Sequence, residues 1–99
     1  MLNHIRNLIK RGDYVVKLHT RKRMIERKIK IGEVKEAIAN GEIIEEHLDD
    51  KPLPSYLIYG RTLKDRPIHV VVGVDEDVIA IITVYEPEPE KWIGYKRRR

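Results

Sequence analysis

Apolar residues recur with helical spacing in the first part of the chain. The first series is spaced three or four positions apart and consists of Leu2, Ile5, Leu8 and Ile9. It predicts an amphipathic helix over residues 2–11, which Gly12 would end. The same kind of spacing predicts a second helix from His19 to about Lys28 and a third over residues 33–40.

The period of the apolar positions changes to two after Gly41, which is typical of strands. A short extended segment is also predicted earlier, over residues 14–18, because its side chains are mostly β-branched or aromatic. Near the end of the chain, the apolar and aromatic residues 92–95 are expected to fold back onto the sheet. The predicted strands cover residues 42–48, 55–61, 68–74 and 78–85.

Helices followed by strands with short connections predict an α+β fold. We expect a single α+β domain over residues 1–95, with N-terminal helices packed on one face of a four-stranded antiparallel β-meander. Residues 96–99 are expected to form a basic C-terminal tail. Period-two alternation predicts that the face which receives the helices is wholly apolar. Its predicted members in the last two strands are Ile68, Val70, Val72, Val74, Val78, Ala80, Ile82 and Val84.

The opposite face of the last two strands is predicted to carry polar side chains. A three-residue loop at 75–77 would place His69 opposite Thr83, with Tyr85 as its diagonal neighbour. The sheet would then hold a cluster of a histidine, a threonine and a tyrosine.

The second helix carries a histidine and two arginines at positions i, i+4 and i+8, namely His19, Arg23 and Arg27. An α-helix advances by about 100° per residue, so these side chains form one drifting stripe. The opposite side of the helix and its end are predicted to face the core through Met24, Ile25 and Ile29. One face can therefore anchor the helix while the other offers an imidazole and guanidinium groups.

The charge is distributed unevenly along the chain. Residues 1–31 contain ten Lys and Arg and two acids, residues 32–90 contain five and fourteen, and residues 91–99 contain five and none. Basic segments at both ends favour a polyanion such as RNA as partner, because they neutralise phosphates and release counterions. The alternative is that the basic ends pair with the acidic middle, within the fold or in a dimer.

The composition argues against several classes of protein. There are no cysteines, which excludes disulfides and thiolate zinc sites. The four histidines lack the spacing of a zinc site, so we expect no metal and no cofactor. Asp49 and Asp50 could bind a cation or serve only as turn residues. Without a long apolar run or a signal-peptide pattern, we expect a cytoplasmic protein with no membrane partner.

A family resemblance is carried by short segments that follow one another in a particular order along the chain: His19–Ile29, Glu33-Val34, Asn40–Ile44, Leu57–Gly60, Arg66–Val71, Ile82–Pro87 and Trp92. This ordered set covers about residues 14–95 and resembles an uncharacterised prokaryotic family of small domains of unknown function. That family is similar in predicted fold to the barnase–EndoU–colicin–RelE group of small ribonucleases and toxins. Its members are often encoded beside an antitoxin.

The resemblance implies a metal-independent endoribonuclease that acts as the toxin of a toxin–antitoxin pair, with RNA and an antitoxin protein as its partners. The residues at the recurring polar positions of the family are His19, Arg23, Arg27, His69, Thr83 and Tyr85. The resemblance also implies a fold of the RelE or barnase type.

Metal-independent cleavage of RNA needs a base for the 2′-hydroxyl, an acid for the leaving 5′-oxygen and cations for the phosphorane. His19 and His69 are the candidate acid–base pair, because the free pKa of histidine lies near neutrality. Arginine suits the third task through its forked guanidinium, so Arg23 and Arg27 are the candidate phosphate ligands. The candidate substrate-binding residues are Thr83, Tyr85, Lys96, Arg97 and Arg98.

Each candidate also has an ordinary structural interpretation. His19 could cap its own helix, and the arginines could pair with Glu26 or with the acidic edge of the sheet. His69, Thr83 and Tyr85 are acceptable residues on any sheet face. The functional alternatives are a non-catalytic RNA-binding module and a protein-interaction domain of the same fold.

Overall fold

The computed structural model describes all residues from 1 to 99 and contains three helices and seven strands. The helices are α1 (Leu2–Arg11), α2 (Leu18–Glu26) and α3 (Ile31–Asn40). The strands are β1 (Tyr14–Val16), β2 (Glu42–His47), β3 (Ser55–Arg61), β4 (Pro67–Val74), β5 (Ile79–Tyr85), β6 (Trp92–Ile93) and β7 (Arg97–Arg98). The α+β class is therefore confirmed. None of the helices is long and apolar enough to cross a membrane.

The main sheet is mixed and has five strands in the order β1-β5-β4-β3-β2. Strands β2 to β5 form the predicted antiparallel meander. The prediction of only four strands is wrong, because β1 joins the sheet parallel to β5, with Tyr14 beside Ile79 and Val16 beside Ile81. This parallel pairing joins segments that lie far apart in the sequence, so no local turn signal announces it.

Helices α1 and α3 pack on one face of the sheet and form the main core with it. Gly12 ends α1 in the left-handed conformation, with φ of 80°, as its position predicts. Burial of apolar surface in this layer is the chief stabilising contribution to the fold. Its most deeply buried side chains include Ile5, Leu8, Val34, Ile38, Ile58, Val70 and Ile81.

A β-bulge in β5 changes the register between β4 and β5. Val72 pairs with Ile81, but Val71 pairs with Thr83, so that Ile82 is an extra residue between them. The turn before β5 is also one residue longer than predicted, since Val74 pairs with Ile79 and not with Val78. The longer turn and the bulge together shift the register by two residues, so the prediction that His69 lies opposite Thr83 is wrong: His69 pairs directly with Tyr85.

The longer turn changes which residues in the first part of β5 face the helices. The predicted core residues Val78, Ala80 and Ile82 are not buried, and Ile82 is 40 % exposed. The buried residues of β5 are instead Ile79, Ile81 and Val84. The extra turn residue moves the side chains before the bulge to the opposite face, and the bulge restores the predicted face for Val84.

Helix α2 lies along the edge of β5 and not on the face of the sheet, which corrects the expectation for this helix. Strand β1 pairs with β5 only as far as Ile81, and α2 then continues along the same edge. Thr20 Oγ1 donates a hydrogen bond of 3.0 Å to the carbonyl oxygen of Ile82, and Arg27 Nη1 donates one of 2.8 Å to that of Val84. A side chain of α2 and that of the residue directly after it thus replace the hydrogen bonds of a neighbouring strand.

The core-facing side of α2 agrees only partly with the prediction. Met24 and Ile29 are buried as expected, but Ile25 is 76 % exposed. A helix that covers the edge of a sheet buries a narrower stripe of its surface than a helix that packs on the face. Ile25 lies outside this stripe.

Strands β6 and β7 form a hairpin that covers the second face of the main sheet. Trp92 is 4 % exposed and its ring stands edge-on to that of His69, with 4.5 Å between the centroids. Arg98 of β7 forms two hydrogen bonds, of 2.7 and 3.1 Å, with the carboxylate of Glu45 on β2. The C-terminal residues therefore fold back onto the sheet, as the aromatic residues 92–95 predict.

Candidate active site

A shallow groove of about 200 Å³ lies between α2 and the last residues of β5. In this groove, the predicted stripe of His19, Arg23 and Arg27 meets Thr83, a predicted substrate-binding residue of β5. The groove is lined by His19, Thr20, Arg23, Arg27, Ile82, Thr83 and Val84. Four of the candidate residues, His19, Arg23, Arg27 and Thr83, therefore share one concave surface.

His19 lies in the first turn of α2, where its side chain is exposed. No side chain caps this helix, so the alternative that His19 acts as a cap is not supported. The imidazole is therefore accessible to a ligand that enters the groove.

The two arginines of the groove keep donors available for an anion. Arg23 Nη1 lies 3.2 Å from Glu26 Oε2, but both side chains are largely exposed, and such surface ion pairs contribute little. Arg27 uses one nitrogen for the carbonyl of Val84. A guanidinium has five N–H donors, so this bond leaves most of the Arg27 group free to bind a phosphate.

A second groove, of about 460 Å³, adjoins the first through Arg27. Besides Arg27 it is lined by Arg66, Tyr85, Glu86, Glu88, Lys91 and Trp92. Thr83 and Tyr85, which follow the bulge, lie on the same face of the sheet as His69, so these two side chains follow one another along the two grooves.

Arg66 is a further residue of this region and is not among the predicted site residues. Its guanidinium donates to the carbonyl oxygens of Arg27 and Lys28 and also binds the carboxylates of Glu33 and Glu86. These bonds provide donors for the carbonyl oxygens just after α2, and they connect this end of the helix to α3 and to the segment after β5. Arg66 therefore fixes the shape of the grooves. In the sequence, the signal for its importance is its place before Pro67 in the Arg66–Val71 segment of the family resemblance.

His69 lies beneath Tyr85 and is fully buried. Its Nε2 atom is 2.6 Å from the carbonyl oxygen of Tyr95, and its Nδ1 atom is 3.1 Å from the hydroxyl oxygen of Tyr85. A carbonyl can only accept, so Nε2 carries the proton and Nδ1 of the neutral ring accepts from the hydroxyl of Tyr85.

The environment of His69 favours this neutral ring. Burial lowers the pKa of His69 below its ordinary value, although the hydrogen bond to Tyr95 opposes the shift. Burial likewise raises the pKa of Tyr85, so its hydroxyl keeps its proton at neutral pH. Because His69 has no exposed surface, it cannot touch an RNA directly and reaches the groove only through Tyr85.

The basic C-terminal residues line neither groove. Arg98 lies over the ring of Trp92, with 4.7 Å to the centroid, and pairs with Glu45, while Lys96 lies 3.3 Å from Glu42. Arg97 is exposed and pairs with Ile93 within the hairpin. Part of the basic end of the chain is therefore paired with the acidic middle, as the structural alternative proposes.

The acidic loop residues contribute to turn structure. Asp50 accepts a hydrogen bond from the hydroxyl of Ser55 at the start of β3. No group of three or more His, Asp or Glu side chains is close enough to hold a metal ion.

The fold and the grooves define a small α+β domain with a basic concave surface at the edge of its sheet. The chain matches the sequence family DUF4258, a domain of unknown function, over residues 16–86. Since this match covers most of the chain, the protein belongs to that family. The matched part includes every residue of the first groove, whereas the hairpin with Trp92 and Tyr95 lies outside it. No curated protein and no solved structure shows a significant match.

Proposed function

We propose that this protein is a metal-independent endoribonuclease of the RelE or barnase type, acting as the toxin of a toxin–antitoxin pair. The observation that carries the proposal is the placement of His19, Arg23 and Arg27 in one groove. A proton-transfer group beside two cations is what cleavage of a phosphodiester by its own 2′-hydroxyl requires.

The roles of the side chains follow from their positions. His19 exchanges a proton with the reacting oxygens, while Arg23 and Arg27 stabilise the charge that develops on the phosphorus oxygens. Thr83 donates a hydrogen bond to a phosphate oxygen at the floor of the groove. Tyr85, in the adjoining groove, contacts the nucleotide that carries the attacking 2′-hydroxyl.

The hairpin adds affinity that does not depend on sequence. Lys96, Arg97 and Arg98 are exposed and contact the phosphates of an RNA that extends beyond the grooves. Because Lys96 and Arg98 also pair with acids, their contribution to binding is smaller than that of free cations.

The proposal includes a cytoplasmic location and an antitoxin protein that covers α2. Leu18 and Ile25 are 69 % and 76 % exposed and lie seven positions apart on this helix, which places them on one face. A partner that buries both side chains would lie beside the first groove and would block RNA from it.

The test is incubation of the purified protein with single-stranded RNA in the presence of EDTA. We expect cleavage by the wild type and a loss of about 10²–10⁴-fold in rate for His19→Ala. His4→Ala is the matched histidine control and is expected to cleave normally. Arg23→Gln should reduce the rate strongly, whereas Arg21→Gln, which changes a residue of the same helix outside the groove, should not. A wild type that does not cleave any RNA contradicts the proposal.

The second candidate function is a non-catalytic RNA-binding module. The burial of His69 favours it, because only one of the two predicted histidines is exposed in the groove. It predicts binding without cleavage. The logarithm of the binding constant should fall linearly with the logarithm of the salt concentration, with a slope of about 0.7 per phosphate contact. Arg23→Gln should then reduce this slope, and His19→Ala should leave it unchanged.

A further inference from the structure

We propose that the Tyr85 hydroxyl is a second catalytic group of the grooves and that His69 is the positioning residue that receives its proton. This inference rests on the proposed ribonuclease function. It is carried by a continuous series of hydrogen bonds from the groove into the protein, from Tyr85 through His69 to the carbonyl oxygen of Tyr95.

The direction of these hydrogen bonds is fixed by the last acceptor. The carbonyl of Tyr95 obliges Nε2 of His69 to donate, so Nδ1 is left as the acceptor for the hydroxyl of Tyr85. The proton of Tyr85 therefore points inward. The lone pairs of the same oxygen are then available to a hydroxyl group of the substrate.

The ring of His69 is held in place from several sides. Its edge-on neighbours are Trp92 at 4.5 Å, Tyr85 at 5.2 Å and Tyr59 at 5.8 Å between centroids. Direct pairing on adjacent strands also fixes the backbone of His69 relative to that of Tyr85. These contacts support the orientation in which Nδ1 faces the hydroxyl of Tyr85.

The turn of the C-terminal hairpin places the final acceptor. Gly94 and Tyr95 both have positive φ, of 58° and 64°. Such a conformation is uncommon for a non-glycine residue, and tyrosine adopts it here where its carbonyl meets Nε2 of His69.

The proton balance of the step is complete with groups of the protein. The 2′-hydroxyl transfers its proton to the oxygen of Tyr85, while the original hydroxyl proton of Tyr85 moves to Nδ1 of His69. The 2′-oxygen forms a bond to phosphorus, and the bond from phosphorus to the 5′-oxygen breaks. His19, in its protonated form, gives a proton to the leaving 5′-oxygen. The products are a 2′,3′-cyclic phosphate and a 5′-hydroxyl, and exchange with water restores both histidines.

The charged and titratable groups around His69 permit this transfer. Tyr59 of β3 and Tyr85 of β5 stand edge-on to the ring, and the backbone carbonyl of Tyr95 in the hairpin turn accepts from its Nε2. Glu45 of β2 favours protonation of the ring and Arg98 of β7 disfavours it, and these two side chains pair with each other. Burial is therefore the main influence that keeps His69 neutral, which is the form whose Nδ1 has a free lone pair for a proton.

The experiment compares RNA cleavage by the wild type, Tyr85→Phe and His69→Asn across a range of pH. An asparagine retains an acceptor near the position of Nδ1 but cannot take up a proton at neutral pH. We expect each variant to lose about 10²–10⁴-fold in kcat, and the double variant to lose no more than either, because the two side chains act as a unit. The wild-type rate should fall at low pH as His69 becomes protonated, and this decrease should be absent from His69→Asn.

The outcomes separate this inference from the function on which it rests. A wild type that does not cleave RNA overturns both. A wild type that cleaves, with Tyr85→Phe equally active, overturns only the role of Tyr85 and His69. Nitrogen NMR of the wild type gives a readout that does not need activity: a proton on Nδ1 in place of Nε2 contradicts the transfer. If His69→Asn does not fold, Tyr85→Phe and the NMR measurement decide the question.

Discussion

The guanidinium of Arg27 donates a hydrogen bond of 2.8 Å to the carbonyl oxygen of Val84 and so ties the end of α2 to the edge of β5. The same side chain borders both grooves. A residue that the sequence proposes as a phosphate ligand therefore also holds together the surface on which a phosphate would bind. Loss of Arg27 will affect stability and binding together, so the two effects need separate measurements.

Replacement of Arg27 by Met should lower the free energy of unfolding by about 1 kcal/mol, because a charge-assisted hydrogen bond is lost at a partly exposed site. Arg27→Lys should lose less, since it keeps the charge and one donor. Denaturant unfolding measures both. Equal stability of the wild type and Arg27→Met would show that α2 does not depend on this bond.

Thr20→Val should destabilise the protein by about 1–2 kcal/mol, although the side chain keeps its volume. Thr20 is 2 % exposed, and its hydroxyl is the donor for the carbonyl of Ile82, which the valine leaves without that bond. Thr20→Ser retains the hydroxyl and is the matched control, expected to lose less. If serine is the worse substitution, packing of the methyl group matters more than the bond.

Gly60→Ala should destabilise the protein by about 2 kcal/mol or more, because a Cβ atom at this position would overlap the backbone of Ala37 on α3. The matched control is Gly32→Ala, which lies in α3 with open space around it. That change should instead raise the free energy of unfolding by about 0.5–1 kcal/mol. Similar effects of the two substitutions in thermal unfolding would contradict the close approach of β3 and α3.

The elements that depend on local pattern were predictable from the sequence. The helix over residues 2–11, its end at Gly12 and the strand over residues 55–61 agree with the structure residue by residue. In each, the spacing of apolar residues or a turn residue is a signal contained within a few positions.

The features that depend on distant pairing were not predictable. Neither the parallel partner of β1 nor the bulge at Ile82 leaves a local trace, and each changes the site. The short β1 leaves the edge of β5 open for α2, and the bulge together with the longer turn before β5 brings Tyr85 opposite His69. The helix stripe was correctly predicted to form one surface, but the burial of His69 could not be seen without the C-terminal hairpin that covers it.

The hairpin should loosen in acid through the pair formed by Glu45 and Arg98. The hydrogen bond from Arg98 lowers the pKa of Glu45, so the folded state holds its proton less tightly than the unfolded state. The resulting stabilisation is present above the ordinary pKa of about 4.3 and is lost as the pH falls through the lowered value. Arg98 is 65 % exposed, so we expect a small effect, about 0.5 kcal/mol.

The fluorescence of Trp92, the single tryptophan of the chain, measures this loosening. Its emission should shift to longer wavelength in acid before the far-ultraviolet circular dichroism changes. Glu45→Gln should show part of that shift already at neutral pH. If both signals change together in the wild type, the hairpin does not open separately from the main sheet.

Burial of His69 should make stability depend on pH near neutrality. Its pKa is lowered in the folded protein, so between that value and the ordinary value of about 6.5 the unfolded state binds more protons. The free energy of unfolding should therefore rise with pH across this interval, level off above it, and decrease as the pH falls. Denaturant unfolding at a series of pH values measures the slope, which should be reduced in His69→Asn and kept in His4→Ala. An unchanged slope in His69→Asn would mean that another group, and not His69, takes up the proton when the chain unfolds.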